Sequence, residues 1–448
     1  MASLAIRNGT IITCDPRHRI LRHGCLVFDG ERITAVLAES EAGAAQAEAS
    51  LDAAGCVVIP GLINAHTHMQ EVINRGLGAD LTMPRWLSEL AMPSLSKRTP
   101  KLYELGAMVS CIEMLKSGTT YVYENPLPPI PQADAAARAI AETGLRGSVA
   151  PIISDRNYPA AFRVDVKTAQ AQSEDFVNRW QGAAGGRLQT GLSPSTPAFT
   201  ASRELVRELS RLATQLGVGF TTHVAESTAT VQALRKEYGA KGVVFFLEEL
   251  GVLNARFVSS QSVHLLPEEL PLFAAAGVHV ANNPSSNMFL GNGIAPVRDL
   301  LAAGVNVALG CDAPACNNVL DMLAELKIAA LAQKVRYGDP TAITTEQVLD
   351  LATRNAARAV GLGDELGSLE VGKLADVVIV DMTQPHCLPG NNPLADLVYS
   401  ATGRDVKHVF IGGRQVVRDG NVTTVDEQPI LTQFIREARA VDVGGTFH

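Results

Sequence analysis

Two histidines with one residue between them, His66 and His68, follow the apolar run Val57–Ile59 and the break at Pro60-Gly61. In extended chain alternate side chains share a face, so this pair can grip one metal ion. Chemistry-bearing residues recur at similar places. His223-Val224-Ala225-Glu226 follows the strand-like run 218–222, and His264 follows 257–262. Asp312 comes three residues after the apolar run 305–309. Four of the ten histidines thus stand at strand ends, while His18, His23, His279, His386, His408 and His448 read as surface or core-filling residues.

His66, His68, His223 and Asp312 form a nitrogen and carboxylate set that suits zinc or ferrous iron, whereas calcium and magnesium prefer all-oxygen cages. Such a set can keep a position open for water, whose pKa a bound metal lowers from about 15.7 to near 7. Glu226, three residues past His223, reads as a proton shuttle, the alternative being an acid at a helix N-terminus. His264 reads as a ligand or as a group that polarises the water. Asp312 reads as a ligand that also steers the hydroxide. A binuclear site would want a lysine near Leu192–Pro197, and none is there, so one metal is expected.

The elements that must position these groups alternate. From Val57 onward, eight short apolar runs are separated by amphipathic helical patterns such as 101–116, 203–216 and 320–334, with Asp134 placed to cap a helix over 134–143. Eight βα units in roughly 250 residues is the arithmetic of a TIM barrel, whose catalytic residues lie past the strand C-termini. No Gly-x-Gly-x-x-Gly turn follows the first strand, which argues against a doubly wound sheet. Both ends of the chain read as β, with Asn-Gly and Asp-Gly hairpin signals near the start. The expected fold is therefore a (β/α)8 barrel, class α/β, with a small β-sandwich made from both termini. Its parts are 1–58, 59–365 and 366–448, the last including a terminal helix. An Ala/Glu-rich, linker-like run falls near 38–50.

A chain of 448 residues, 46% hydrophobic and 19% charged, is an ordinary globular protein of more than one domain. Its net charge of -8 and lack of a basic stripe exclude a nucleic-acid partner. No apolar run approaches the ~20 residues of a membrane span, and the first residues show no signal-peptide pattern. Seven scattered cysteines without a Cys-x-x-Cys pair point to reducing cytoplasm.

The set Pro60–His68, Ser117–Thr120, His223–Glu226, Asn283–Asn287, Gly293–Pro296, Asn317-Asn318 with Leu320–Met322, and Gly367–Ile379 resembles the amidohydrolase superfamily nearly end to end. The branch resembled holds atrazine chlorohydrolase, melamine deaminase and the S-adenosylhomocysteine/methylthioadenosine deaminases. The resemblance implies one divalent metal on His66, His68, His223 and Asp312, with Glu226 and His264 in proton transfer and water activation. The thioether-nucleoside deaminases carry a substrate-contacting histidine where this chain has Ser193–Pro197, and a ribose-binding glutamate where it has Arg85 before Trp86-Leu87. Their His-Asn-Pro is Asn282-Asn283-Pro284 here. Arg85, Trp86, Ser195, Asn282, Cys316 and Asn317 are accordingly the expected substrate contacts, and these departures point away from a ribose-bearing substrate.

The activity expected is hydrolytic deamination of a purine, pterin, pyrimidine or triazine, metal hydroxide attacking the ring carbon while Glu226 moves the proton. The same attack can expel chloride or an alkylamine, and the contrasting class is a catalytically inactive barrel used for binding. A dimer or larger homo-oligomer is the family's habit, which no residue pattern here forces.

Overall fold

Eight parallel strands close around one axis in a computed structural model that describes residues 3–43 and 46–441, leaving His448 outside. They are β1 (Leu62–Thr67), β2 (Thr119–Glu124), β3 (Arg146–Val149), β4 (Leu188–Pro194), β5 (Gly219–Val224), β6 (Phe257–Gln261), β7 (His279–Asn282) and β8 (Asn306–Leu309). Each pairs with the next in order, and β1 meets the segment after β8 to complete the ring. Thr67 Oγ1 donates to the Asp312 carbonyl (2.8 Å), and the Asp312 amide donates to the His66 carbonyl (2.9 Å). Ile63, Ala65, Tyr121, Tyr123, Val258, Ala281 and Ala308 pack together in one buried cluster. This is the (β/α)8 barrel expected.

Local chemistry sets the helix ends. Ser202 Oγ accepts from the Leu205 amide (3.1 Å) to start Arg203–Leu216, and Gly217, at φ 70°, ends it in the left-handed conformation that glycine adopts without a Cβ clash. Asp134 caps nothing: its helix begins at Ile130, and the carboxylate instead takes the Trp180 indole N–H (2.8 Å) and Arg179. A helix start at Pro129–Pro131 prevails because proline costs nothing where amide hydrogens are unpaired anyway.

The termini meet in a second sheet of nine strands. Its order is Asn421–Val422, Arg414–Arg418, Val406–Ile411, Val377–Asp381, Cys56–Pro60, Leu4–Ile12, Ile20–Asp29 and Arg32–Leu37, with Ala49–Asp52 beside Leu4–Ile12. The expected sandwich from both termini thus takes the form of one continuous sheet. Val57–Ile59 belongs to it, not to the barrel, whose first strand starts at Leu62. A fully apolar run looks the same in either sheet. The helix Glu427–Ala440 lies against Pro100–Lys116, tied by Lys116 Nζ to Glu427 (2.8 Å). All seven cysteines are buried and unpaired, and among the described residues no helix is long and apolar enough to cross a membrane.

Barrel and sheet share one buried ion pair. Arg146, in β3, donates to both oxygens of Asp376 (3.2 and 3.0 Å), which also takes the Gly412 amide (2.7 Å). Burial raises the Asp376 pKa, and Arg146 opposes that rise. Replacing Arg146 by Met leaves a buried carboxylate without its counter-charge. The expected outcome is a loss of about 3–5 kcal/mol in urea unfolding, with Asp376→Asn restoring part of it in the double variant.

Candidate metal centre and active site

The register between β1 and β2 shifts between Asn64 and Thr67, a local irregularity of the kind that re-aims side chains. Asn64 turns outward to the helix Pro100–Lys116, where its amide reaches Met114, and its Oδ1 holds the Cys311 amide (3.0 Å). His66 and His68 meet His223 from β5. Asp312 arrives from the far side of the barrel seam. Gly310 permits that approach, since a Cβ there would stand 2.9 Å from the His66 amide nitrogen.

Four ligand atoms converge. His223 Nε2 lies 3.4 Å from His68 Nε2, and Asp312 Oδ1 lies 3.5 Å from His66 Nε2 and 3.4 Å from His68 Nε2. Ligands about 2.05 Å from a common centre at the tetrahedral angle stand roughly 3.3 Å apart, so these three spacings are the size one zinc-sized cation needs, and the three histidine nitrogens all lie within 4.8 Å of one another. Burial, with the neighbouring imidazoles adding to it, lowers the pKa of His68 and drops that of His223 well below the usual histidine range. Both rings are therefore neutral and offer lone pairs. His66 Nε2 is buried without a hydrogen-bond partner, as an atom reserved for a metal would be.

The atoms behind the ligands fix their orientation. His68 Nδ1 donates to the Asn125 carbonyl (2.6 Å), and with Nε2 kept free His66 Nδ1 donates to Ser260 Oγ (2.9 Å). Burial would raise the Asp312 pKa, but hydrogen bonding to its carboxylate, the Ser286 hydroxyl included, holds it below the carboxylate range. Asp312 Oδ2 accepts from Gln261 Nε2 (2.8 Å) and Ser286 Oγ (2.6 Å), and Oδ1 accepts from the Ala313 amide (2.9 Å). Ala225, Gln261, Ser262 and Asp312 all have φ between 47° and 75°, a backbone region that costs non-glycine residues of order 1–3 kcal/mol each. Such strain concentrated around one site marks a preorganised constellation.

Glu226 stands beside this cradle, 9% exposed, and burial followed by the charge of Asp312 raises its pKa to about 8. It is not a helix cap. Ser227 fills that role for Thr228–Tyr238, its Oγ accepting from the Thr230 amide (3.3 Å).

A cleft with about 630 Å³ of space, part of it open solvent, rises above the cradle. Trp86, Ser195 and Cys316 line it together with His68, His223, Glu226 and Asp312. Other expected contacts lie elsewhere. Arg85 pairs with Glu89 through Nε (2.8 Å) and Nη2 (2.9 Å), its side chain 58% exposed. Asn317 Nδ2 donates to the Cys311 carbonyl (2.8 Å) and Glu325, and Asn282 is buried at the end of β7 with neither amide atom paired. His264 is displaced as well. Strand β6 ends at Gln261, the left-handed backbone at Gln261 and Ser262 turns the chain, and the His264 amide ties back to the Ala225 carbonyl (2.9 Å). The β6 group that touches Asp312 is Gln261, which no histidine-seeking pattern would select. Burial raises the Cys316 thiol pKa well above its ordinary value, which makes it a neutral wall beside Ser286 (3.1 Å).

A model of the amidohydrolase family matches residues 57–416. The chain is 36% identical over 446 residues to a 5-methylthioadenosine/S-adenosylhomocysteine deaminase of Syntrophobacter fumaroxidans, covering 98% of both chains. Among solved structures it is similar to an adenosine deaminase from Xanthomonas campestris with bound zinc, at TM-score 0.92 and 29% identity over 98% of each chain. It is also similar to a triazine hydrolase of Arthrobacter aurescens, at TM-score 0.90 and 25% identity over 98% of this chain and 100% of that one.

Ser260 offers a direct test of the cradle. Ser260→Ala removes the acceptor that sets the His66 tautomer, and zinc affinity measured against a chromophoric chelator is expected to fall about 10–100-fold with the circular dichroism unchanged.

Proposed function

As the chain belongs to the amidohydrolase family, we propose that it hydrolyses the bond between a ring carbon and an exocyclic amine in a nitrogen heterocycle, releasing ammonia. The observation that carries this reading is a buried carboxyl with its pKa raised to about 8, Glu226, lining one cleft with the cradle of three histidines and Asp312. His66, His68, His223 and Asp312 would hold a single divalent cation, and zinc is preferred over ferrous iron because the similar Xanthomonas structure carries zinc. When bound, such a cation lowers the pKa of water to near ~7, so that a nucleophile forms at neutral pH.

The side chains then divide the remaining work. Glu226 takes the proton of the attacking water and gives it to the ring nitrogen next to the attacked carbon. The second proton of that water passes through the same carboxylate to the amine, the carbon–nitrogen bond breaks, and ammonia leaves. Asp312 does not compete for these protons, because its Oδ2 already accepts two hydrogen bonds and its Oδ1 accepts a third while facing the histidines. Gln261 and Ser286 hold it in that role. A carboxyl poised near neutral pH suits two-way transfer, since neither protonation state is far from the working pH.

The likeness to the triazine hydrolase favours a second reading in which chloride or an alkylamine leaves after the same attack. Assaying ammonia and chloride together on aminated and chlorinated heterocycles separates the two. In the zinc-loaded enzyme Glu226→Gln is expected to lower kcat by about 10²–10⁴-fold while leaving one equivalent of metal bound. Undiminished turnover by that variant would remove Glu226 from the mechanism.

A further inference from the structure

The wall of the cleft carries its own information about the substrate. Met83, Trp86, Leu87, Leu127, Phe199 and Leu290 make it largely apolar and aromatic. Among the described residues, no lysine or arginine lines it. Arg85, the nearest in sequence to the wall, is held on the outer surface by Glu89. A carboxylate or phosphate on the substrate would meet no counter-charge here, and buried charges need one.

The acidic groups are equally committed. Glu71 lines the cleft with its side chain 1% exposed, but one oxygen is taken by Arg98 and the other by the Asn74 amide (2.7 Å). Arg98 is itself buried and also bonds Ser94 Oγ (2.8 Å). Glu226 belongs to proton transfer. No carboxylate is therefore left to accept from a pair of sugar hydroxyls, which demand acceptors when buried.

What remains free is neutral and single-pointed. Tyr158 is 8% exposed, and burial raises its pKa, so the phenol stays a donor; no described residue hydrogen-bonds to it. The Trp86 indole lends the wall its ring, while its N–H edge is buried against Gly78. Ser195 Oγ accepts from Thr200 Oγ1 (2.7 Å), which leaves its own proton to give. Two isolated donors on an apolar wall match the acceptor nitrogens of a flat heteroaromatic ring.

From these contacts we propose that the substrate is an uncharged, aminated heteroaromatic ring bearing a small apolar substituent, with Tyr158 donating to a ring or substituent acceptor and no subsite for a sugar diol or an amino-acid tail. The proposal rests on the deaminase reading above and narrows it. The relative from Syntrophobacter carries a name for substrates with both excluded features, so the two chains would share chemistry and differ in the wall.

The test compares substituents with the zinc-loaded full chain: 9-propyladenine, an N-alkylated diaminotriazine, 5′-methylthioadenosine and S-adenosylhomocysteine, each scored by ammonia release. An apolar-substituted ring is expected to show the highest kcat/KM, about tenfold or more above methylthioadenosine and further above S-adenosylhomocysteine. Either nucleoside within tenfold of the best compound overturns the proposal while the deaminase reading stands. No ammonia from any of the four overturns the deaminase reading itself. Tyr158→Phe is expected to raise KM for the best compound about tenfold with kcat and melting temperature little changed, and an unchanged KM removes Tyr158 from substrate recognition.

Discussion

The residues at the strand ends answer to one electrostatic problem: three imidazole nitrogens within 4.8 Å of one another, with a carboxylate oxygen 3.4–3.5 Å from two of them, at the floor of the cleft. Lone pairs so arranged repel one another unless a cation lies between them. The surroundings make the arrangement tolerable by holding each group from behind. Asn125 and Ser260 fix two rings, and Gln261, Ser286 and the Ala313 amide fix the carboxylate. Each of these bonds is modest by itself, about 0.5–1.5 kcal/mol, and somewhat more where the acceptor is charged. Their common effect is that the site does not need to reorganise when it is filled, which is the condition for strong electrostatic catalysis.

That rigidity depends on barrel closure. His66 and His68 come from the end of β1 and Asp312 from the segment beyond β8, residues far apart in sequence that become neighbours only when the ring is complete. The amide and carbonyl of Asp312 are both spent on β1, so the same backbone contacts that close the barrel also set the carboxylate's height above the histidines. The second sheet supports this seam from outside, with Cys56–Pro60 running directly into Gly61 and β1. Unfolding of the terminal sheet would thus release the segment that carries His66 and His68.

Legibility in the sequence followed the range of the interaction. His66, His68, His223 and Asp312 were readable because each directly follows or ends an apolar strand, and strand ends are where a barrel keeps its chemistry. Glu226 was readable from its spacing to His223. Gln261 was not, because glutamine carries no metal-site signal and its importance lies in a contact to Asp312, 51 residues away. His264 misled for the complementary reason: its residue type was right, but the left-handed turn at Gln261-Ser262 redirects the chain. Val57–Ile59 reads as a barrel strand yet joins the terminal sheet, because a strand buried on both faces has no alternation to say which partner it takes. Arg85 reads as a substrate contact from its place before Trp86, but Glu89, one helical turn away, holds its guanidinium.

The division between reaction and selectivity follows from the same geometry. The histidines, Asp312 and Glu226 sit on strand ends braced by the barrel, whereas the wall comes from the segment around Met83–Leu87, the turn after β4 and Leu290 beyond β7. Wall residues other than Cys316, which touches Ser286, can change without disturbing the cradle, because Ser260, Gln261 and Ser286, which orient the histidines and Asp312, are not among those lining the cleft. Glu71 is constrained in another way, since it faces the cleft and is also locked to Arg98. A buried pair of that kind is costly to break by removing one partner, about 3–5 kcal/mol. It therefore sets a limit on how the cleft can be reshaped: a free carboxylate at that position requires moving Arg98 as well, not one substitution in the wall.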